Sequence, residues 1–173
     1  MDFAGSLNQV TTLATSSAIS AWAVVGSFVA LLVLMLAFYL FSRYAGRGPF
    51  VAILLAFYAA YALYAAFPYA DYLPSAPALT AVGVRIAIYI GLVLVFYIIL
   101  RRVVVSDFLD LGLFGTLALS AFASAFLLAL GYHVFSVTAV YQFPSSLAML
   151  FAPKEYFFWW FVAPAIGLFF LAK

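Results

Sequence analysis

The sequence contains no cysteine and few charged side chains. Without cysteine, the chain has no disulfide, no thiolate metal ligand and no redox-active thiol. Charged residues make up 7% of its 173 residues, whereas roughly a quarter is usual in soluble globular proteins. The chain therefore lacks the polar surface that a water-soluble globule needs.

Basic residues and histidine are also scarce. Six of the seven Lys and Arg residues lie at the ends of apolar runs, and the seven do not form the basic patch that nucleic-acid binding requires, so we expect no nucleic-acid partner. One histidine, His133, cannot build a typical zinc or iron site without cysteine and with few carboxylates. We therefore expect no metal and no other cofactor, and we expect His133 to be solvated or bonded to lipid headgroups.

Motifs of common enzyme classes are missing as well. The chain contains no GxGxxG, Walker A, HExxH or GxSxG sequence. A Ser/His/Asp set cannot be assembled convincingly around a single histidine. We therefore predict that the protein is not an enzyme.

Long apolar runs dominate what is present. Hydrophobic residues make up 70% of the chain, and the mean hydropathy is +1.26. Because about 20 apolar residues in a helix cross a hydrocarbon core of roughly 30 Å, we predict an all-α integral membrane protein with one transmembrane domain over residues 1–173. Its five predicted spans cover residues 18–41, 50–69, 79–100, 108–131 and 155–171.

The segment 132–153 is ambiguous, because it is moderately apolar but interrupted by His133, Gln142 and Pro144. We predict an outer loop here, with a short interfacial helix over residues 145–151. The alternative is that this segment forms a sixth span.

The distribution of basic residues predicts the orientation. With five spans and an outer N-terminus, the inner side carries most of the positive charge, including Lys173, and the outer half has only Arg85 and Lys154. The positive-inside rule then favours an outer N-terminus and an inner C-terminus, with an aromatic belt at the start of the last span. We expect a prokaryotic cytoplasmic membrane. The predicted topology anchors are Arg43, Arg47, Arg101, Arg102, Trp159 and Trp160.

Small residues at helical spacing predict packing faces, because they let helix backbones approach closely in lipid. The third span ends at two adjacent arginines and carries one such stripe, so we expect this span to organise the bundle. A second series runs along the fourth span. The predicted packing residues are Gly83, Ala87 and Gly91 in the third span, and Gly112, Thr116, Ser120 and Ser124 in the fourth.

The start of the fourth span is acidic. Asp107 and Asp110 suit the positive end of a helix dipole there, close to Arg101 and Arg102. In outline, these arginines after the third helix, together with Asp110 and Gly112, resemble the colicin-V-production family of small bacterial membrane proteins. We transfer no activity and no residue role from this resemblance.

Arg85 is the one cation set well inside a predicted span. It could snorkel to the outer headgroups or form a structural ion pair, or it could bind an anion, a lipid headgroup or a partner protein. The tyrosines of the spans could bond across helices or line a cavity. The candidate ligand or partner contacts are Arg85, Tyr89, Tyr61 and Tyr64.

Two functions remain open from the sequence. The first is a structural or scaffold subunit that packs with itself or with other membrane proteins. It is favoured because the spans hold few polar groups for a transport path and more small-residue stripes than a lone bundle needs. The second is a carrier or binder of a small amphipathic or lipid-like molecule, using Arg85 and the tyrosines.

Overall fold

The computed structural model describes residues 26–68, 73–103 and 112–171, and in these ranges the regular structure is helical, without strands. A short 3-10 helix, Val137–Ala139, follows the fourth α-helix. The predicted all-α class is confirmed for the described residues. The six α-helices are α1 (Val29–Ala45), α2 (Arg47–Ala65), α3 (Ala78–Val103), α4 (Leu113–His133), α5 (Ser145–Phe151) and α6 (Lys154–Leu171).

Three of these helices are long and apolar enough to cross a membrane. They are α2, α3 and α4, with 19, 26 and 21 residues. The described part of α1 is a shorter apolar helix, and α6 has 18 residues but begins with Lys154 and Glu155. Length and composition are thus compatible with an integral membrane protein.

The connection between α1 and α2 is tighter than the sequence suggests. We expected a basic turn over residues 42–49, but α1 continues to Ala45, α2 begins at Arg47, and Gly46 alone connects them with φ 96° and ψ 171°. Glycine accepts this positive φ without a steric penalty. The polar residues suggested a loop, but Arg43 suits the negative end of α1, in its last turn.

Other helix ends differ by a few residues from the prediction. Helix α2 ends at Ala65, and α4 begins at Leu113 after an extended Gly112. Asp107 and Asp110, which we predicted at the start of the fourth span, lie outside the described residues. Asp71 lies outside them as well. A helix is present at Ser145–Phe151 as predicted. The segment 134–153 holds only this helix and the 3-10 helix, both too short for a sixth span.

Helices α2 and α4 form the centre of the bundle. Helix α2 packs closely against α3 and α1, α4 packs against α1 and α6, and the short α5 covers α4 and α6. Aromatic rings fill the space between α2 and α4, where Phe57 stacks on Phe126 with 6.1 Å between ring centroids. Phe126 also contacts Phe161 of α6.

Helix α3 is peripheral, whereas we expected it to organise the chain. In the most apolar 18-residue stretch of each helix, 17% of the residues of α3 are buried, against 44% in α2 and 61% in α4. Apolarity did not reveal this difference, because lipid and protein interior are equally good environments for an apolar side chain.

Candidate functional site

Arg85 lies in the second turn of α3 and is half-buried. At about 1.5 Å per residue, it is roughly 10 Å along the axis from the start of the helix. Arg85 is four residues from Ala81 and from Tyr89, both of which are buried, and Tyr89 bonds α2. Since residues four apart share a helix face, Arg85 lies on the side of α3 that faces α2, where Tyr64 forms part of the last turn.

Three aromatic rings form a cluster next to this pair. The ring of Tyr64 lies 6.1 Å from that of Tyr89 and 5.6 Å from that of Phe135, and Tyr89 and Phe135 are 5.1 Å apart. Phe135 is buried and follows the end of α4. The structure thus brings Arg85, Tyr64 and Tyr89 together and adds Phe135, which the sequence did not indicate because it lies in a predicted loop.

The tyrosine hydroxyls mainly bond helices to one another. Tyr89 of α3 donates a buried hydrogen bond of 3.0 Å to the carbonyl of Phe57 in α2. Tyr58 of α2 donates to the carbonyl of Phe161 in α6, at 2.6 Å. Tyr61, the fourth candidate contact, has its ring 5.0 Å from that of Phe161, so it faces α6 and not Arg85.

An apolar groove separates α3 from α4 beside this cluster. Its volume is about 280 Å³, and α3 and α4 are not among the closely packed helix pairs. Tyr89 contributes the only polar side-chain group of the lining, and its hydroxyl already donates to Phe57. The groove is lined by Phe57 of α2, Ile86, Tyr89, Ile90 and Val93 of α3, Leu127, Leu128 and Gly131 of α4, and Phe135, Val137 and Phe143.

The two small-residue series have opposite environments. Gly83, Ala87 and Gly91 are exposed on the outer face of α3, and an added Cβ at either glycine would meet no atom of the described residues within 4 Å. In α4, Thr116, Ser120 and Ser124 are buried, and each hydroxyl bonds the carbonyl four residues earlier, at 3.2, 2.8 and 2.7 Å. Because these hydroxyls bond to carbonyls of their own helix, their side chains stay close to the backbone and this face of α4 is narrow. Gly112 is exposed and precedes α4.

The predicted topology anchors lie at helix ends. All four arginines are exposed; Arg43 and Arg47 flank the turn at Gly46, and Arg101 and Arg102 are in the last turn of α3. Phe41 and Tyr97, 6.2 Å apart, bring these two regions to one end of the bundle. Trp159 is 64% exposed, whereas Trp160 donates its ring N–H to the carbonyl of Leu150 in α5, at 2.9 Å.

His133 does not have the free imidazole that we expected. Its Nε2 lies 2.8 Å from the carbonyl of Phe151, and because a carbonyl can only accept, Nε2 carries the proton and donates. The ring also contacts Phe157, with centroids 5.0 Å apart. Within residues 26–68, 73–103 and 112–171, no group of His, Asp or Glu side chains could hold a metal ion.

No protein family model matches the chain, and no curated protein or solved structure matches it either. The outline resemblance to the colicin-V-production family therefore has no family-level match behind it. The geometry of the described residues is what remains to argue function.

Proposed function

We propose that the protein is a non-catalytic, multi-pass membrane subunit that assembles with a second copy of itself through the outer face of α3. The observation that supports this most directly is the exposure of Gly83, Ala87 and Gly91 along one line of the longest apolar helix. In lipid, such small residues are the usual means by which two helix backbones approach.

The spacing of these residues suits a helix crossing. Residues four apart lie on one face of a helix, so Gly83, Ala87 and Gly91 form a shallow surface two turns long. Leu94 and Ile98, which are 54% and 59% exposed, continue this face towards the end of α3. Two such faces can bring their glycines together and pack their larger side chains beyond the crossing point.

Charge does not oppose this contact. Arg85 is two residues from both Gly83 and Ala87, about 200° around the helix, and it faces α2. A second copy can therefore approach the stripe without burying that guanidinium. The energetic gain would come from dispersion contacts between closely packed backbones, because lipid provides no hydrophobic drive for association.

We further propose five spans with an outer N-terminus and an inner C-terminus, in a prokaryotic cytoplasmic membrane. The exposed arginines at one end of the bundle support this orientation through the positive-inside rule. Two of them, Arg43 and Arg47, line a cavity of about 370 Å³ together with Tyr39, Ser42 and Thr116, and this cavity would then face the inner side.

The oligomeric state of a bulky variant tests the proposed contact. Ala87→Leu places a large side chain at the centre of the stripe, so we expect its dimer dissociation constant to rise by about tenfold or more. Ala62→Leu is the matched control, because Ala62 is also an exposed helical alanine but lies on α2. Native mass spectrometry in mild detergent and photobleaching in bilayers measure the populations.

A monomeric wild-type protein under both conditions would contradict the proposal, as would a dimer that Ala87→Leu and Ala62→Leu weaken equally. Recovery of the chain in a complex with other membrane proteins, still sensitive to Ala87→Leu, would keep the scaffold role but replace the second copy as the partner.

A further inference from the structure

The groove lies between α3 and α4, two helices that are not among the closely packed pairs. Phe57 of α2, which stacks on Phe126, is also part of its lining. Ile90, on the α3 side, is 50% exposed, so the groove opens to the surroundings of the helices. In a membrane, those surroundings are acyl chains.

The lining excludes a polar ligand. It consists of aliphatic and aromatic side chains and one glycine, and the hydroxyl of Tyr89 already donates to Phe57. A polar group placed there would lose its hydrogen bonds without replacement, which is costly. The volume of 280 Å³ is just below the roughly 300–1,000 Å³ of typical small-molecule pockets, so it suits part of an acyl chain.

A cation lies next to one end of this apolar surface. Arg85 immediately precedes Ile86 and is one helical turn before Tyr89, both of which line the groove. Tyr89, which shares a helix face with Arg85, contacts the ring of Tyr64, and Tyr64 contacts Phe135 of the lining. The groove and Arg85 together complement a molecule with an anionic head and an apolar chain.

We propose that this groove binds one acyl chain of a membrane phospholipid whose phosphate is held by Arg85. The phosphate is favoured over other anions because a guanidinium binds it in a bidentate way. The depth also agrees: Arg85 is about 10 Å from the start of α3, and a long arginine side chain reaches from there towards the headgroups. Only an amphiphile satisfies both parts of the site.

The segment that follows α4 contributes part of the groove lining. Phe135, Val137 and Phe143 come from this segment, and Ser136 between them has a left-handed backbone with φ 53° and ψ 42°. A non-glycine residue in this region costs free energy and persists only where the surrounding structure holds it. The bend at Ser136 turns Phe135 inwards and brings Val137 over Gly131, to within 3.6 Å of an added Cβ there.

Binding of two defined lipids to the delipidated full chain tests the proposal. Dioleoylphosphatidylglycerol has a phosphate and the same chains as dioleoylglycerol, which has none. We expect Arg85→Gln to weaken binding of the first lipid by about tenfold, the value of a charge-assisted hydrogen bond, and to leave the second unchanged. Arg102→Gln is the matched control, because Arg102 is exposed at the other end of α3.

A second pair of variants tests the groove itself. Ile90→Trp puts a bulky ring over the groove, and we expect it to weaken binding of both lipids. Ile99→Trp makes the same change further along α3, at a residue that is 52% exposed and lies outside both the groove lining and the proposed contact face. We expect Ile99→Trp to bind both lipids like the wild-type protein, and native mass spectrometry with each lipid titrated provides the dissociation constants.

Several results would overturn the proposal. One is binding of dioleoylphosphatidylglycerol that Arg85→Gln leaves unchanged. Another is equal lipid binding by Ile90→Trp and Ile99→Trp. If Asp71→Asn and Arg85→Gln weaken lipid binding equally, Arg85 forms an ion pair with Asp71 and does not hold the lipid phosphate. Displacement of the lipid by millimolar inorganic phosphate would identify a free anion as the ligand.

Discussion

Tyr58 and Tyr61 make similar ring contacts but differ in whether the hydroxyl forms a hydrogen bond. Both rings lie about 5 Å from the ring of Phe161, but only Tyr58 donates a hydrogen bond to its carbonyl. Pro164, inside α6, has no N–H for the carbonyl of Trp160, one residue earlier than Phe161. Bonds from neighbouring helices are one way in which membrane helices tolerate a proline.

We expect Tyr58→Phe to lower the free energy of unfolding by about 1 kcal/mol, the size of an interhelical hydrogen bond in lipid. Tyr61→Phe should change it by much less, because the hydroxyl of Tyr61 makes no hydrogen bond within the described residues and its ring contact with Phe161 is kept. Reversible unfolding in mixed micelles measures both. Equal destabilisation by the two substitutions would show that the bond from Tyr58 contributes nothing.

The sequence indicated which residues could form the candidate site but not how they are used. An ionisable or hydroxyl group within an apolar run is costly there and often has a functional role. For this reason the sequence indicated Arg85, Tyr64 and Tyr89. The hydrogen bond of Tyr89 and the contact with Phe135 depend on the relative positions of α2, α3 and the segment after α4. Helical spacing within one span carries no information about those positions.

At the scale of the helix, Gly167 marks a close approach between α6 and α4. A Cβ added there would lie 2.8 Å from Cδ2 and 3.1 Å from Cε2 of Phe122, and 3.3 Å from Cδ1 of Leu119. These are atoms of a rigid ring and of a buried leucine, so neither can move freely. Gly167, which we did not include among the packing residues, is therefore the position where the lack of a side chain matters most.

We expect Gly167→Ala to destabilise the protein by about 1–3 kcal/mol, as overpacking of a core usually does. Gly26→Ala is the control, because an added Cβ there meets nothing within 4 Å. It should be neutral or slightly stabilising, since alanine favours helix more than glycine does. Thermal unfolding in detergent compares the two, and a Gly167→Ala protein as stable as Gly26→Ala would contradict the described packing.

The sequence indicated small residues as candidates for close approach, but it did not indicate their partners. Thr116, Ser120 and Ser124 are buried within the described bundle, whereas Gly83, Ala87 and Gly91 face outwards. The same spacing serves a helix inside the chain and a helix of another chain. Which of these applies depends on where the remaining helices pack.

For the whole molecule, the five-span orientation makes a prediction that the cysteine-free chain allows to be tested directly. Lys154→Cys lies at the start of α6 and should react with a membrane-impermeant thiol reagent in intact cells. Tyr44→Cys, at a residue 88% exposed beside the basic turn, should react only after lysis. Protection of Lys154→Cys in intact cells, with reaction after lysis, would contradict the orientation or the span number.

The fold class and most helices followed from the sequence, because the length and apolarity of a run largely decide whether it forms a membrane helix. The order of burial did not follow. Helix α3 has the highest hydropathy of the three candidate spans and the smallest buried share. In a soluble protein the most apolar helix would be expected at the core, but in lipid an exposed apolar face costs nothing.

Two side-chain N–H groups of longer helices hold α5 in place through hydrogen bonds. Helix α5 has only seven residues, too few to be stable alone, and two of its last carbonyls accept bonds from Trp160 and His133. The place of this short helix in the bundle therefore depends on side chains of its neighbours, α4 and α6, and not on its own few backbone bonds.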